Sequence, residues 1–268
     1  MYDIATRQRA VALHEAGLTF SQVSRAMGIS RYSIRQWTTR ITPSPSMTAE
    51  CPVQCGELES GRPRADYAYL LGLYLGDGCI SRGRREVYAL RIACGDTWPG
   101  LIDACVHAVG AVMPSNKVHR VRAPGCTSVV SIRAPGCTSV VSNSKHWPCL
   151  FPQHGAGPKH LRRISLMPWQ QRIVAEHPWA LLRGLIHSDG CRITNWTTRT
   201  VGGQIKRYEY PRYFFTNTSA DIVHIFTDTL DAVGVQWKVT QRPSRAVDVS
   251  VARRASVALM DEHIGPKY

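Results

Sequence analysis

Apolar positions at the start of the chain recur at helical spacing and are interrupted by glycine and by small hydroxyl residues. Ile4, Ala10, Val11, Leu13 and His14 predict one amphipathic helix, stopped by Gly17. Thr19 or Ser21 can cap a second helix with Val23, Ala26 and Met27 inward. Gly28 then supplies a tight turn, and Ser30 caps a third helix, RYSIRQWTTR, with Ile34 and Trp37 facing in. The pattern lapses over residues 43–66, which are rich in Pro, Ser and Gly and read as a linker. From residue 67 onward, apolar helices alternate with strand-like runs. Strands are predicted over 87–93, from 117 to 121, over 192–198, 208–216, 236–241 and 246–252. Helices are predicted over 98–109, from Ser219 to Val233, and from about Arg254.

The larger region repeats itself. LLGLYLGDGC (Leu70–Cys79) returns as LRGLIHSDGC (Leu182–Cys191), 112 residues later. Ala108-Val109-Gly110 and Ala232-Val233-Gly234 each end an amphipathic stretch, and Lys117-Val118 and Lys238-Val239 each open a strand-like run. Three echoes in the same order imply two copies of one unit, about 67–168 and 169–268. A different repeat lies inside the first copy: VRAPGCTSVVS (Val121–Ser131) is followed at once by IRAPGCTSVVS (Ile132–Ser142). This reads as a tandem duplication of a turn and strand. The first copy is expected to serve the sheet, leaving the second as a dispensable surface loop.

Composition narrows the classes of function. Lys and Arg number 33 against 19 Asp and Glu, a net charge of +14 that favours an anionic partner, nucleic acid first. The surplus sits in two places, +4 over residues 1–42 and +12 over 67–268, with a joint of −2 between them. The longest apolar runs are about half of the ~20 residues needed to span a bilayer, so no membrane role is expected. The polar start, MYDIATRQR, shows no secretory signal. Nine irregularly spaced cysteines suit a reduced compartment, so a cytoplasmic, nucleoid-associated location is expected. No small-molecule substrate is evident. Cys51 and Cys55 suggest half of a zinc knuckle, for which His146, Cys149, His154 and His160 could be completions, although chance clustering explains them as well.

The two copies of the motif carry chemistry. Gly72 and Gly76, like Gly184 and Ser188, lie four apart and give each helix a small-residue face through which the copies can pack. Each helix then runs into Asp-Gly, at Asp77-Gly78 and Asp189-Gly190. Gly is an expected helix stop, whereas Asp faces the negative end of the helix dipole. Two such carboxylates brought together would repel, and a divalent cation between them would remove both penalties. Lys117 and Lys238 are candidates to sit beside it and stabilise a pentavalent phosphate, although ordinary phosphate contact or a solvated place on a strand accounts for them more simply.

The paired motif resembles that of the LAGLIDADG homing endonucleases, over about 200 residues from Tyr67 onward. The resemblance implies an α+β fold in which a pseudo-two-fold pair of αββαββα halves meets through the motif helices, with sheets forming a saddle over double-stranded DNA. It also implies that Asp77 and Asp189 bind Mg²⁺ for phosphodiester hydrolysis on both strands, in a monomer made sufficient by its internal symmetry. Arg192, Asn195 and Arg199, with Arg82, Arg84, Arg85, Arg91, Arg207 and Arg212, lie on or near strands that would suit that saddle. Residues 1–42 resemble the all-α helix-turn-helix of bacterial regulators and transposases. There the third helix would present Ser30, Arg31, Tyr32, Ser33, Arg35, Gln36 and Arg40 to the major groove. Two functions follow: a metal-dependent, site-specific DNA endonuclease with an added DNA-binding head, or a transcription regulator using a non-cleaving LAGLIDADG scaffold.

Overall fold

The computed structural model describes residues 2–41, 63–122, 136–242 and 245–268. The chain divides into two compact units, one before and one after residue 50.

The first unit is three helices, α1 (Ile4–Glu15), α2 (Phe20–Met27) and α3 (Arg31–Thr39). Each start is fixed by a side-chain oxygen that accepts an otherwise orphaned amide: Asp3 for α1, Thr19 in a reciprocal capping box with Gln22 for α2, and Ser30 for α3. Gly28 ends α2 at φ +65°, where a side chain would be strained. Ala10, Val11, Val23, Ile29, Ile34 and Trp37 form the core. Two expected core positions fall outside it. Ile4 is exposed at the first turn of α1, and Ala26 is exposed because the Val23–Met27 row, four residues apart, takes the inner face of α2. Arg7 is buried instead, donating to the Tyr2 and Ile41 carbonyls at 3.1 and 3.2 Å with its guanidinium over Trp37.

The second unit has two halves of the same element order. The first runs α4 (Arg64–Leu75), β1 (Gly78–Arg82), β2 (Tyr88–Gly95), α5 (Pro99–Val112), β3 (Val118–Arg122), β4 (Cys137–Ser144) and the short α6 (Trp147–Leu150). After α7 (Pro168–Glu176), the second runs α8 (Pro178–Asp189), β5 (Gly190–Val201), β6 (Gln204–Asn217), α9 (Ala220–Ala232), β7 (Lys238–Gln241), β8 (Val247–Val251) and α10 (Arg254–His263). Both sheets are antiparallel, with orders β1-β2-β4-β3 and β5-β6-β8-β7. The α+β pair of αββαββα halves is therefore as expected. Helix α4 starts at Arg64, inside the stretch read as linker. Every residue of α4 from Tyr67 to Leu75 is buried, as a helix at the centre of a unit requires. No helix among the described residues is long and apolar enough to cross a membrane.

The hairpin β5–β6 is longer than its hydrophobic pattern predicted. Its strands meet at Val201↔Gln204 through Gly202-Gly203, with φ of +59° and +79°, a two-residue turn whose twist matches that of the strands. The duplicated segment also corrects an expectation. It is the second copy, from Cys137, that forms β4 between β2 and β3, with Val140 in the core. The first copy lies mostly outside the described residues. Because the copies are the same from the second residue on, deleting Ile132–Ser142 lets Thr127 take the place of Thr138 opposite Arg122. That leaves a four-residue connection, a common hairpin loop length. The shortened protein is expected to unfold cooperatively within about 5 °C of the parent. A molten or insoluble product in thermal unfolding would show that the eleven residues are structurally required.

The two halves join through bare backbone. A Cβ on Gly72 would lie 2.5 Å from the Leu181 carbonyl oxygen, and one on Gly184 would lie 2.2 Å from that of Tyr69. Neither obstacle is a side chain that can rotate away, so the helices themselves would have to separate. Gly184→Ala is expected to cost at least about 3 kcal/mol and to lower the unfolding temperature by about 10 °C. A calorimetric change within about 2 °C would show that the helix contact is loose.

Candidate functional site

The close approach of α4 and α8 carries their C-terminal ends together. A Cβ on Gly76 would stand 2.1 Å from Ser188 Oγ and 3.1 Å from an Asp189 carboxylate oxygen, so the glycine leaves room for the end of the opposite helix. The Ser188 hydroxyl turns back to its own helix, with the Gly184 and Leu185 carbonyls each at 3.0 Å. The glycines after the two acids serve differently from the expected helix stops. Gly190 is extended, at φ −107° and ψ 173°. A Cβ on Gly78 would meet the Tyr74 backbone at 2.5 Å, and one on Gly190 the Ile186 backbone at 2.7 Å. Both glycines let the chain fold back from the helix into the strand, with two turn residues between α4 and β1 and none between α8 and β5.

Asp77 and Asp189 thus come near enough to repel, each immediately before the first strand of its sheet. Asn217, at the end of β6, donates through Nδ2 to Asp189 Oδ2 at 2.7 Å, and its own Oδ1 accepts the Ser219 amide at 2.8 Å. Two lysines supply the cations that the helix ends lack. Lys159 donates to the Leu75 and Gly76 carbonyls at 2.9 and 2.7 Å and to that of Tyr74, capping α4. Lys267 donates to the Ser188 carbonyl at 3.0 Å, in the last turn of α8. Beside Asp189 opens a cleft of about 320 Å³, lined by Gly76, Lys159, His160, Thr216, Asn217 and Thr218 among others.

Titration in this cluster follows from crowding. Burial, and then the neighbouring Asp77, push the Asp189 carboxyl up to about 6. Burial also raises Asp77, although the residue as a whole keeps solvent exposure, while Lys267 and Lys159 pull it back. Burial pushes the Lys159 ammonium down to about 8 against the opposing pull of Asp189 and Asp77, and it lowers Lys267 as well. The donors are carboxylate and carbonyl oxygens, as a hard divalent cation prefers. Mg²⁺ in particular is commonly held by one or two carboxylates, water and substrate phosphates, so the residues fit it. Among the described residues, no three His, Cys, Asp or Glu side chains form a metal-binding group. Cys51 and Cys55 lie outside the described residues.

The other expected site residues divide by position. Lys117 and Lys238 are exposed at the entry to β3 and β7. Those strands are the far edges of the two sheets, three strand spacings of about 4.8 Å from the edge that each motif helix feeds. Lys159 and Lys267 hold the places beside the carboxylates that Lys117 and Lys238 were expected to fill. They had a signal in the sequence: Gly157-Pro158-Lys159 and Gly265-Pro266-Lys267 are a further echo, 108 residues apart, with both glycines left-handed at φ +75° and +71°. Asn217 had none. Arg192 is engaged internally, pairing with Asp261 of α10 at 2.6 and 2.8 Å, where Tyr213 also donates to the carboxylate. Asn195 and Arg199, odd-numbered on β5, lie on the opposite face from Arg192. Arg91 shares the open face of its sheet with Ser81, to which it donates at 2.7 Å, whereas Arg82 pairs with Glu86 and Arg207 stacks over Trp196. Arg84 and Arg85 are exposed, and Arg212 is part-buried on β6. On α3, Arg31, Tyr32, Arg35 and Gln36 are exposed beside the capping Ser30 and a half-buried Ser33, and Arg40 is exposed at the C-cap.

In EDTA, the apo-protein is expected to lose stability as the pH rises from about 4 to about 6. Across that window the folded state holds the Asp189 proton that the unfolded chain releases, so the advantage is complete at low pH and gone above about 6, a loss on the order of 3 kcal/mol. Asp189→Asn, neutral throughout, removes that fall and should melt higher than the parent at pH 7. Parallel stability–pH curves for the two proteins would show that Asp189 is not crowded.

No protein-family model matches the chain, and no curated protein matches it. Among solved structures, the chain is similar to I-DmoI in complex with DNA and Mn (15% identity, TM-score 0.48, covering 76% of this chain and 98% of that chain). It is similar to the N-terminal LAGLIDADG domain of DUF199/WhiA (11% identity, TM-score 0.45, covering 76% and 84%). The LAGLIDADG meganuclease I-AabMI bound to uncleaved DNA is a third, at 9% identity, TM-score 0.45 and coverage of 74% and 83%.

Proposed function

We propose that this protein is a metal-dependent endonuclease that binds double-stranded DNA across the open faces of its two sheets and cuts at the joint between its halves. The observation that carries the reading is the meeting of Asp77 and Asp189 at the pseudo-two-fold joint, with one lysine from each half beside them. Asp77 and Asp189 would hold Mg²⁺, which supplies Lewis-acid activation of water and neutralises charge developing on phosphate. Asn217 fixes the orientation of the Asp189 carboxylate. Lys159 and Lys267 bring positive charge to the place where a scissile phosphate would sit, and being partly desolvated they act there more strongly than in water. Arg91, Asn195 and Arg199 on the open faces would contact the duplex backbone, consistent with the net charge of +14.

One observation favours a second reading, a regulator that binds without cutting. The first unit is a three-helix module whose α3 exposes Arg31, Tyr32, Arg35 and Gln36, with Arg40 exposed just past its end, the residue types that read base edges and phosphates in a major groove.

A nicking assay on a randomised plasmid library with Mg²⁺ separates the two. The wild type should cut, and Asp77→Asn and Asp189→Asn should each lower cleavage by about a thousandfold or more while leaving duplex affinity within about threefold. A wild type that binds duplex and never nicks would sink the nuclease reading and leave the regulator. Variants that cut as well as the wild type would remove both carboxylates from the chemistry.

A further inference from the structure

The two Gly-Pro-Lys turns are held down in different ways. In the first, Arg162 Nη1 donates to the Gly155 and Gly157 carbonyls at 2.7 and 2.6 Å, so the turn that presents Lys159 is tied to its own loop. The second turn, after α10, is held at its start by the Gly265 amide, which donates to the Met260 carbonyl at 3.1 Å. It is followed by Tyr268, which reaches the other half of the unit. The Tyr268 ring fills the space above Gly100, in the first turn of α5, where a Cβ would stand 2.0 Å from a ring carbon. The Tyr268 carbonyl accepts the Leu101 amide at 3.2 Å, and its hydroxyl accepts from Arg183 of α8 at 2.9 Å. Residues 265–268 therefore run from the second half, past the end of α8, to the first half, and Lys267 is the residue in mid-span.

We propose that Tyr268 is a positioning residue: by seating in the slot over Gly100 it stretches residues 265–268 across the joint and holds the Lys267 ammonium against the Ser188 carbonyl, beside the two carboxylates. Lys267 has four rotatable side-chain bonds, and holding it still opposes the entropy of a long chain. The seated ring limits where its backbone can go, which is how a group remote from the chemistry fixes one within it. The arrangement links the integrity of the joint to the site: Lys267 is in place only when both halves are in contact. Its consequence for cleavage rests on the nuclease reading, but the seating itself does not.

The exchange of lysine ammonium protons, followed by ¹⁵N NMR on the full chain without metal or DNA, tests the seating directly. In Tyr268→Ala and in Gly100→Ala, which fills the slot from the opposite half, the Lys267 ammonium protons should exchange about tenfold faster or more, while those of Lys159 keep their wild-type rate. Tyr268→Phe keeps the ring and should stay within about threefold of wild type. Unchanged exchange at Lys267 in both alanine variants would overturn the proposal, and so would equal acceleration at both lysines, which would mean general loosening. Under the nuclease reading, Tyr268→Ala and Lys267→Ala should slow cleavage by a similar factor, with the double variant no slower than either. A wild type that does not cleave would end that reading and leave the exchange result to decide the positioning role.

Discussion

The contact on which the rest of the second unit depends is backbone against backbone, between Gly72 and Gly184. Only a pair of residues without side chains allows α4 and α8 to pass so closely that a single methyl group would strike a carbonyl oxygen from the facing helix. That closeness decides where everything else falls. Residues four positions on, Gly76 and Ser188, are the next to meet, and the acids follow immediately. α8 then runs straight into β5, and α4 reaches β1 through the two residues Gly76 and Asp77, which Gly78 and Gly190 permit by leaving the helix backbone uncovered. The position of the carboxylates is thus set by helix pitch and by a run of missing side chains, both of which are rigid features.

Such placement has an electrostatic cost, and the molecule counters it in part. Two carboxylates at the negative ends of two helices, partly removed from water, are raised toward their neutral forms. Lys159 meets the carbonyls at the end of α4 and Lys267 one in the last turn of α8, so each ammonium satisfies the helix end and offsets the charge of the acids at once. The lysines are themselves partly desolvated and held below their usual range, so the cluster is balanced without being relaxed. A site in this condition favours the arrival of additional positive charge near the carboxylates and of negative charge near the ammonium groups. A divalent cation together with a phosphate supplies both.

How far these features were legible in the sequence depended on whether they were local. The double LxGLxxxDG pattern, with small residues four apart, was enough to place both motif helices, their contact and the meeting of Asp77 and Asp189. Caps were legible for the same reason, since Thr19, Ser30 and Ser219 act within three residues of themselves. Repetition alone offers Lys117 and Lys238 as candidates beside the carboxylates. Strand order, a long-range property, puts them on far edges, while the equally repeated Gly-Pro-Lys turns went unread. Arg192 was misread because alternation along a strand cannot say which face meets α10, where Asp261 waits for it. Gly202-Gly203 is a readable turn signal, and the mostly polar stretch around it, without strict alternation, obscures the long ribbon it closes. Asn217 could not have been found at all, because its role exists only through its distance to Asp189.

The halves share a topology without sharing a site. In the strand registers Gly78 opposes Ile92 and Gly190 opposes Phe215, so the position that corresponds to Asn217, two residues further along, is Cys94. Asn217 has a carboxamide to offer the carboxylate next to it. Cys94 is buried and engaged with Cys105 of α5, and a thiol is at best a weak donor. Asp189 is accordingly gripped from the side by its own half while Asp77 is the more exposed residue. The same divergence appears in the two lysine turns, one tied by Arg162 within its loop and the other by Tyr268 across the joint. Duplicated architecture fixes where the groups of a site stand; the orientation of each group is decided by neighbours that each half has been free to change.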